Sequence, residues 1–132
     1  GCGDGYVCAI LKDRGFDVEG FDSDPYAINF ARVLLPNVNI QLASINDVEL
    51  DKDFDYFICQ NAIEHFKDPI YLVKLFEKYC KRYMILATDI PGKIGKFEYN
   101  SFSFDDISQL FNKFKVEKLY EFRKVYGGKI SK

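Results

Sequence analysis

Short apolar runs alternate with amphipathic segments along this chain, and this alternation constrains the fold more than any other feature. The runs FDYFIC (54–59) and YMILAT (83–88) have the length and near-continuous apolar character of buried parallel strands. The segments 25–35 and 69–81 place apolar residues at helical spacing, and each follows an Asp-Pro pair typical of a helix start. The pattern predicts an α/β fold with an open, mostly parallel sheet and helices on both faces.

The composition favours one domain with one core. The chain has 132 residues, of which 48% are apolar, and no apolar run approaches the ~18 residues of a membrane-spanning helix. The four cysteines form no C-x-x-C pair, as is typical of reduced thiols in a cytosolic protein. We therefore expect residues 1–132 to form a single domain of a cytoplasmic protein that does not bind a membrane.

The last third of the chain predicts one more helix and one more strand. Ser103 followed by Asp106 is the start of a capped helix, expected over 104–114. The segment 115–125 is expected to be the final strand, although its alternation is imperfect. The residues after it, 126–132, are expected to be a turn and a tail.

The first five residues, GCGDG, form a glycine-rich turn before the first predicted helix. Gly1, Gly3 and Gly5 can adopt positive φ and let a ligand approach the backbone, and the helix N-terminus attracts a carboxylate or phosphate. Asp22 ends the next predicted strand, where a carboxylate can accept hydrogen bonds from two ribose hydroxyls. A G-x-G-x-x-G dinucleotide motif would need a glycine at position 6, where this chain has Tyr6. The spacing therefore argues against binding of NAD but does not exclude other nucleosides.

Three stretches in this order resemble successive signatures of class I S-adenosylmethionine-dependent methyltransferases. They are GCGDG (1–5), VEGFDSDPYAINFAR (18–32) and FDYFICQNAIEHFKDP (54–69). The small type 11 branch, which includes the ubiquinone-biosynthesis O-methyltransferases, is the most similar. The resemblance implies a Rossmann-like doubly wound fold and an enzyme that uses S-adenosylmethionine and releases S-adenosylhomocysteine. It also implies that the family's first strand, just before the glycine turn, is missing here and that the domain is clipped at both ends.

The resemblance further implies which residues contact the cofactor. The glycine turn would lie along the methionine end, Asp22 would bind the ribose hydroxyls, and Gln60 would lie against the ribose and methionine portion. Ser44 stands where the family usually has an acid, which leaves adenine recognition to Asn46, Asp47 or the backbone. The implied cofactor-binding residues are Gly1, Cys2, Gly3, Gly5, Asp22, Ser23, Ser44, Ile45 and Gln60.

His65 is the only histidine and the only catalytic candidate. In metal-assisted relatives the stretch E-x-x-E-H binds a divalent cation, but here Asn61 replaces the first acid and leaves Glu64 and His65. An amide oxygen is a poorer Mg²⁺ ligand than a carboxylate, so we assign no metal. Three roles stay open for His65: orienting the loop beside the cofactor, acting as a general base or substrate contact, or belonging to a remnant metal site.

The methyl acceptor is expected to be a small molecule, with a nucleic acid left open. Phe97, Tyr99 and Phe102 lie where relatives place substrate contacts and are expected either to form an aromatic wall or to tuck onto the sheet edge. Lys93 and Lys96 flank them and suit an anionic substrate, although solvated lysines are the simpler interpretation. A methyltransferase-like module that binds without catalysis, and another nucleotide-binding α/β enzyme, are the alternative functions.

Overall fold

The computed structural model of the protein describes residues 1–89, 98–122 and 125–132, leaving aside the side chains of residues 120–126. The chain divides into two compact units, residues 1–49 and residues 50–132. The elements in chain order are α1 (Tyr6–Asp13), β1 (Glu19–Asp22), α2 (Pro25–Leu34), β2 (Asn39–Leu42), β3 (Phe54–Gln60), a 3₁₀ turn (Ile63–His65), α3 (Ile70–Tyr79), β4 (Cys80–Asp89), α4 (Phe104–Leu110), β5 (Lys115–Phe122) and β6 (Val125–Ser131).

The first unit contains a parallel strand pair with two helices. β1 and β2 pair from Glu19 opposite Asn39 to Asp22 opposite Leu42, so both strands end at the same edge. Asp24 caps α2 as expected, because its side chain accepts a hydrogen bond from the Tyr26 N–H. The helices and strands enclose one buried cluster, made of Cys8, Ile28, Ala31, Leu35 and Ile40.

The second unit contains a mixed four-stranded sheet in the order β3-β4-β6-β5. β3 and β4 are parallel, whereas β6 is antiparallel to both β4 and β5. The α/β architecture that the sequence predicts is therefore confirmed, but the strands after β4 add antiparallel pairings to the expected mostly parallel arrangement. Phe76 of α3 lies at the centre of the core and contacts the rings of Phe57, Phe111 and Phe114.

Several boundaries in this unit differ from the sequence prediction, and one of them is that α4 ends at Leu110 and not at residue 114. Helix α3 ends at Tyr79, and Cys80 already starts β4. The expectation of a turn and tail over 126–132 is wrong, because β6 pairs along its length with two neighbours. Gly127 and Gly128 have the composition of a turn, but they lie within β6. The absence of a side chain at Gly128 lets β5 approach closely, since a Cβ there would lie 3.3 Å from the Glu117 carbonyl oxygen.

The strand β3 is buried on one face only. Cys59 is buried, whereas Tyr56 and Ile58 on the other face are 40% and 48% exposed. The near-continuous apolar run suggests a strand buried on both faces, but in the structure one face of β3 is exposed.

Among the described strands, β1 and β3 each have a single neighbour. No helix in the described ranges is both long enough and apolar enough to cross a membrane.

Candidate functional site

The glycine turn folds as expected, and its glycines serve different purposes. Gly3 has φ +54° and a Cβ at that position would meet nothing within 4 Å, so open space lies beside its backbone. Gly5 has φ +83°, and a Cβ there would lie 3.0 Å from the Cβ of Ala31. Gly3 therefore leaves room for a ligand, whereas Gly5 lets the start of α1 pack against α2.

The turn is held against the end of β1 by backbone hydrogen bonds. The nitrogens of Gly1 and Cys2 both donate to the Phe21 carbonyl oxygen, at 2.8 and 2.9 Å. The Gly5 N–H donates to the Cys2 carbonyl at 3.1 Å and closes the turn. These bonds fix Gly3 beside the last residue of β1.

Asp22 connects the glycine turn to the start of α2. Its Oδ2 accepts a 2.8 Å hydrogen bond from the Gly3 N–H, and its Oδ1 accepts one of 2.9 Å from the Asp24 N–H. The side chain is 19% exposed, so the carboxylate is oriented without being sealed from solvent. The structure thus brings together two features that lie far apart in sequence, the glycine turn and the strand-end acid.

The loop after β2 reaches the same edge. The Ala43 N–H donates to the Asp22 carbonyl at 2.9 Å. Ser44, the next residue, therefore follows directly after this contact with the end of β1. The Ser44 Oγ accepts a 3.2 Å hydrogen bond from the Asn46 N–H, so the hydroxyl shapes its own loop. Ile45 is partly buried in this loop, and Ser23, next to Asp22, is exposed.

The remaining predicted residues lie in the second unit. Gln60 is exposed at the last position of β3, and Asn61 follows with φ +47° and donates its N–H to the Ala87 carbonyl at 2.8 Å. This left-handed backbone, which asparagine tolerates better than most residues, turns the chain into the 3₁₀ turn that ends at His65. His65 is exposed, whereas its neighbour Glu64 is only 4% exposed.

Glu64 is a buried anchor of its loop. Its Oε2 accepts a 3.0 Å hydrogen bond from the hydroxyl of Thr88, itself fully buried. Its backbone carbonyl accepts from the N–H groups of Tyr99 and Asn100, at 2.9 and 3.1 Å. Within the described residues no group of three His, Cys, Asp or Glu side chains is arranged to hold a metal ion, so the geometry adds nothing to the remnant-metal interpretation.

The expected aromatic wall is only partly described. Tyr99 is 65% exposed, but Phe102 is buried at 9% and belongs to the core. Phe97, Lys93 and Lys96 lie outside the described residues. Of the described pair, Tyr99 alone is placed to meet a molecule from solvent.

Sequence reasoning missed one close contact in the first unit. Cys8 lies in the first turn of α1, and its sulfur adjoins that of Cys2 over Gly20. The two cysteines are six positions apart, a spacing that matches no known motif. Their proximity beside Gly20 becomes visible only in the folded structure.

Comparison with known proteins gives a consistent result. A family described as "Methyltransferase domain" matches residues 1–121. Ubiquinone biosynthesis O-methyltransferases of Rickettsia bellii and Rickettsia typhi are each 33% identical over 69 residues, which is 49% of this chain. That stretch is 29% and 28% of those enzymes, so the match spans less than a third of the curated relatives.

Solved structures share the fold at low identity. Magnesium protoporphyrin IX methyltransferase from Synechocystis PCC 6803 with bound S-adenosylmethionine superposes with a TM-score of 0.77 at 17% identity, covering all of this chain and 67% of that one. The plantazolicin methyltransferase BpumL, in complex with S-adenosylhomocysteine and a triazolic desmethylPZN analogue, gives a TM-score of 0.82 at 15% identity, covering 100% of this chain and 74% of that one.

Proposed function

Because this chain belongs to the class I S-adenosylmethionine-dependent methyltransferase family, we propose that its glycine turn and Asp22 bind S-adenosylmethionine and that the protein transfers the methyl group to an acceptor molecule. The observation that carries this proposal is the 2.8 Å hydrogen bond from the Gly3 N–H to Asp22 beside the open face of Gly3. It places a backbone that a ligand can approach next to an oriented carboxylate.

The chemistry of Asp22 fits a ribose. An ionised carboxylate has about four acceptor positions on its two oxygens. Each oxygen accepts one backbone N–H here, so capacity remains on both for the two hydroxyls of a ribose. The same backbone bonds hold the carboxylate in one orientation before any ligand arrives, which lowers the entropic cost of binding.

The other cofactor contacts are proposed from the resemblance, and the geometry supports part of them. Gly1, Cys2 and Gly5 would line the methionine end beside Gly3. Ser23 lies next to Asp22 in sequence and is exposed, as a residue at the ribose or adenine edge requires. Ser44 and Ile45 would face adenine, with the backbone of their loop supplying polar contacts, because the Ser44 hydroxyl already binds Asn46.

S-adenosylmethionine supplies a methyl group made electrophilic by its sulfonium. The protein's own part is to hold the acceptor in line and, where the acceptor carries a proton, to remove it. Gln60 is proposed as a cofactor contact and His65 as the general base. Both proposals are supported by the resemblance and by the exposed positions of these residues, at the end of β3 and in the following 3₁₀ turn.

The acceptor is proposed to be a small molecule. A hydroxyl oxygen is the first nucleophile to test, because the matched curated relatives are named O-methyltransferases. Nitrogen and carbon acceptors, and a nucleic acid, complete the panel. Turnover is best followed with a donor carrying an isotopically labelled methyl group.

Calorimetric titration with S-adenosylhomocysteine tests the cofactor assignment directly. Wild-type protein should bind, and Asp22→Ala should weaken binding by about tenfold or more, since a hydrogen bond to a charged group contributes ~1.5–3 kcal/mol. Asp13→Ala, which removes an exposed acid from α1, is the matched control and should bind like wild type. Tight binding of NAD in place of S-adenosylhomocysteine would instead support the dinucleotide alternative.

The role of His65 needs a separate test once an acceptor turns over. His65→Gln should leave affinity for S-adenosylhomocysteine unchanged and lower the turnover number, because glutamine cannot take a proton from the acceptor. An unchanged turnover number would reject the base assignment.

A non-catalytic binding module is the second candidate, and one observation favours it. Ser44 supplies no carboxylate where the family usually has one, and its hydroxyl is engaged within its own loop. This candidate predicts weak cofactor binding and no methyl transfer to any acceptor in the panel.

A further inference from the structure

Two cysteine sulfurs lie close together beside the proposed cofactor turn. If Gly20 of β1 carried a Cβ, that atom would lie 3.1 Å from the Sγ of Cys2 and 3.1 Å from the Sγ of Cys8. Both sulfurs therefore occupy the space that the missing side chain of Gly20 leaves. Cys2 is partly exposed, and Cys8 is buried in the first turn of α1.

The two neighbouring thiols differ in acidity. The adjacent Cys2 thiol stabilises the Cys8 thiolate and lowers the pKa of Cys8 to about 7, against the opposing effect of burial. The pKa of Cys2 is raised by the neighbouring Cys8 thiol and by its own desolvation. Cys8 is therefore the more acidic of the two cysteines and has a second thiol beside it.

The other two cysteines differ in both respects. Burial raises the pKa of Cys59 to about 12 and also raises that of Cys80. They lie in different strands, β3 and β4, and each is buried. They therefore serve as internal controls for thiol chemistry.

We propose that Cys2 and Cys8 are a reversible oxidation site, and that a disulfide between them lowers the affinity of the glycine turn for S-adenosylmethionine. The second half of this inference rests on the proposed function, whereas the first half stands on the geometry at Gly20 alone.

The reaction is balanced with a peroxide as the oxidant. The Cys8 thiolate attacks one oxygen of hydrogen peroxide, the O–O bond breaks, and hydroxide leaves and is protonated to water, so that Cys8 becomes a sulfenic acid. The Cys2 sulfur then attacks the Cys8 sulfur, the S–O bond breaks, and a second water leaves with the Cys2 proton. Both sulfurs are oxidised by one electron each, and a dithiol reductant reverses the reaction.

Disulfide formation must move the turn. Bonded sulfurs lie about 2.05 Å apart, much closer than two thiols in contact. Cys2 is held by its N–H to Phe21 and its carbonyl to Gly5, so a shift of Cys2 disturbs both of these bonds and moves Gly3, the next residue in the chain. The result is a displacement of the backbone that borders the open space at Gly3.

The first experiment maps the disulfide and does not depend on cofactor binding. Protein treated with hydrogen peroxide is alkylated, digested without reduction and analysed by mass spectrometry. The expected product is a Cys2–Cys8 linked peptide, with Cys59 and Cys80 still alkylated. Cys59→Ala should form the same linkage, and Cys8→Ala should not. If wild-type Cys2 and Cys8 both remain alkylatable while a small dithiol in the same tube is oxidised, the oxidation site is rejected.

The second experiment measures affinity for S-adenosylhomocysteine in the two redox states. Oxidised wild type should bind about tenfold more weakly than reduced protein, within the usual 5–150-fold range of coupling, and dithiothreitol should restore the affinity. Cys8→Ala should show no response to peroxide. Equal affinity of the mapped disulfide form and the reduced form would overturn the regulatory half. If reduced protein fails to bind at all, the proposed function fails, while the mapped disulfide still stands.

Discussion

The Gly3 N–H and the Asp22 carboxylate are joined by a 2.8 Å hydrogen bond that links the first turn of the chain to the end of β1. The Gly3 backbone, which borders open space, is therefore oriented by the same side chain that is proposed to bind the ribose. Substitutions at Asp22 affect both tasks, so the glycine side of the pair offers the cleaner tests.

Gly3→Ala should separate backbone strain from loss of binding. Alanine at φ +54° costs about 1 kcal/mol of unfolding free energy, and its methyl group would point into the open space proposed for the cofactor. Gly15→Ala is the matched control, because Gly15 has φ +85° and equally open surroundings after α1. Urea denaturation should show similar losses for both variants, whereas calorimetry should show weaker S-adenosylhomocysteine binding for Gly3→Ala alone. Equal binding by the two variants would contradict the placement of the ligand.

Gly20→Ala should destabilise the first unit by overpacking. The new Cβ would lie 3.0 Å from the Cβ of Cys2 and 3.1 Å from both sulfurs, and such insertions cost about 1–3 kcal/mol. Removing one sulfur should relieve part of this cost, so Cys8→Ala and Gly20→Ala together should be less destabilising than the sum of the two single changes. Urea denaturation of wild type, the two single variants and the double variant measures the coupling between the two changes. Strictly additive losses of unfolding free energy would show that the new Cβ does not press on the Cys8 sulfur.

Thr88→Val should destabilise the second unit through Glu64. Valine keeps the shape of threonine but removes the hydroxyl that donates to the buried carboxylate, and a hydrogen bond to a charged group contributes about 2 kcal/mol. The cost should be smaller in a Glu64→Gln background, where the acceptor carries no charge. Chemical denaturation of wild type, both single variants and the double variant gives this comparison. An equal cost in both backgrounds would mean that packing, and not the hydrogen bond, matters at Thr88.

Ser103→Ala should weaken α4 in a pH-dependent way. The Ser103 hydroxyl accepts from the Asp106 N–H, and the Asp106 carboxylate accepts from the Ser103 hydroxyl and backbone N–H. Losing this cap should cost about 1 kcal/mol at pH 7. The hydrogen bonds from the Ser103 hydroxyl and N–H lower the pKa of Asp106 below its ordinary 3.8. The stability that these two bonds give to the folded protein is therefore fully present above pH 3.8. It is lost as the pH falls through the lowered pKa and the carboxylate takes up a proton.

The measurement for Ser103 is the difference in unfolding free energy between wild type and variant across acidic pH. The difference should narrow below pH 3.8 without vanishing, because the bond from the Asp106 N–H does not titrate. Ser101→Ala should show no such narrowing. A difference that is constant with pH would indicate that the Asp106 carboxylate does not bind the Ser103 hydroxyl.

Local signals predicted the parts of the fold that depend on neighbouring residues. The Asp24 cap and the Ser103–Asp106 capping box were readable because each is complete within four residues. The resemblance implied that Asp22 and the glycine turn contact one cofactor, and in the fold a hydrogen bond joins them directly.

Contacts between distant segments explain the remainder. Gly127 and Gly128 have the composition of a turn, and only pairing with β4 and β5 makes them a strand. The meeting of Cys2 with Cys8 depends on the absent side chain of Gly20, and the burial of Glu64 depends on Thr88, far along the chain. No periodicity in the sequence records either contact.

The contact between Gly5 and Ala31 extends the glycine motif beyond its own five residues. Since a Cβ on Gly5 would lie 3.0 Å from the Cβ of Ala31, these two small residues share one narrow space between the start of α1 and the middle of α2. Any larger residue at position 31 would press on the turn as surely as a substitution within GCGDG. The alanine in α2 therefore helps to shape the turn that is proposed to bind the cofactor, although it lies 26 positions after Gly5.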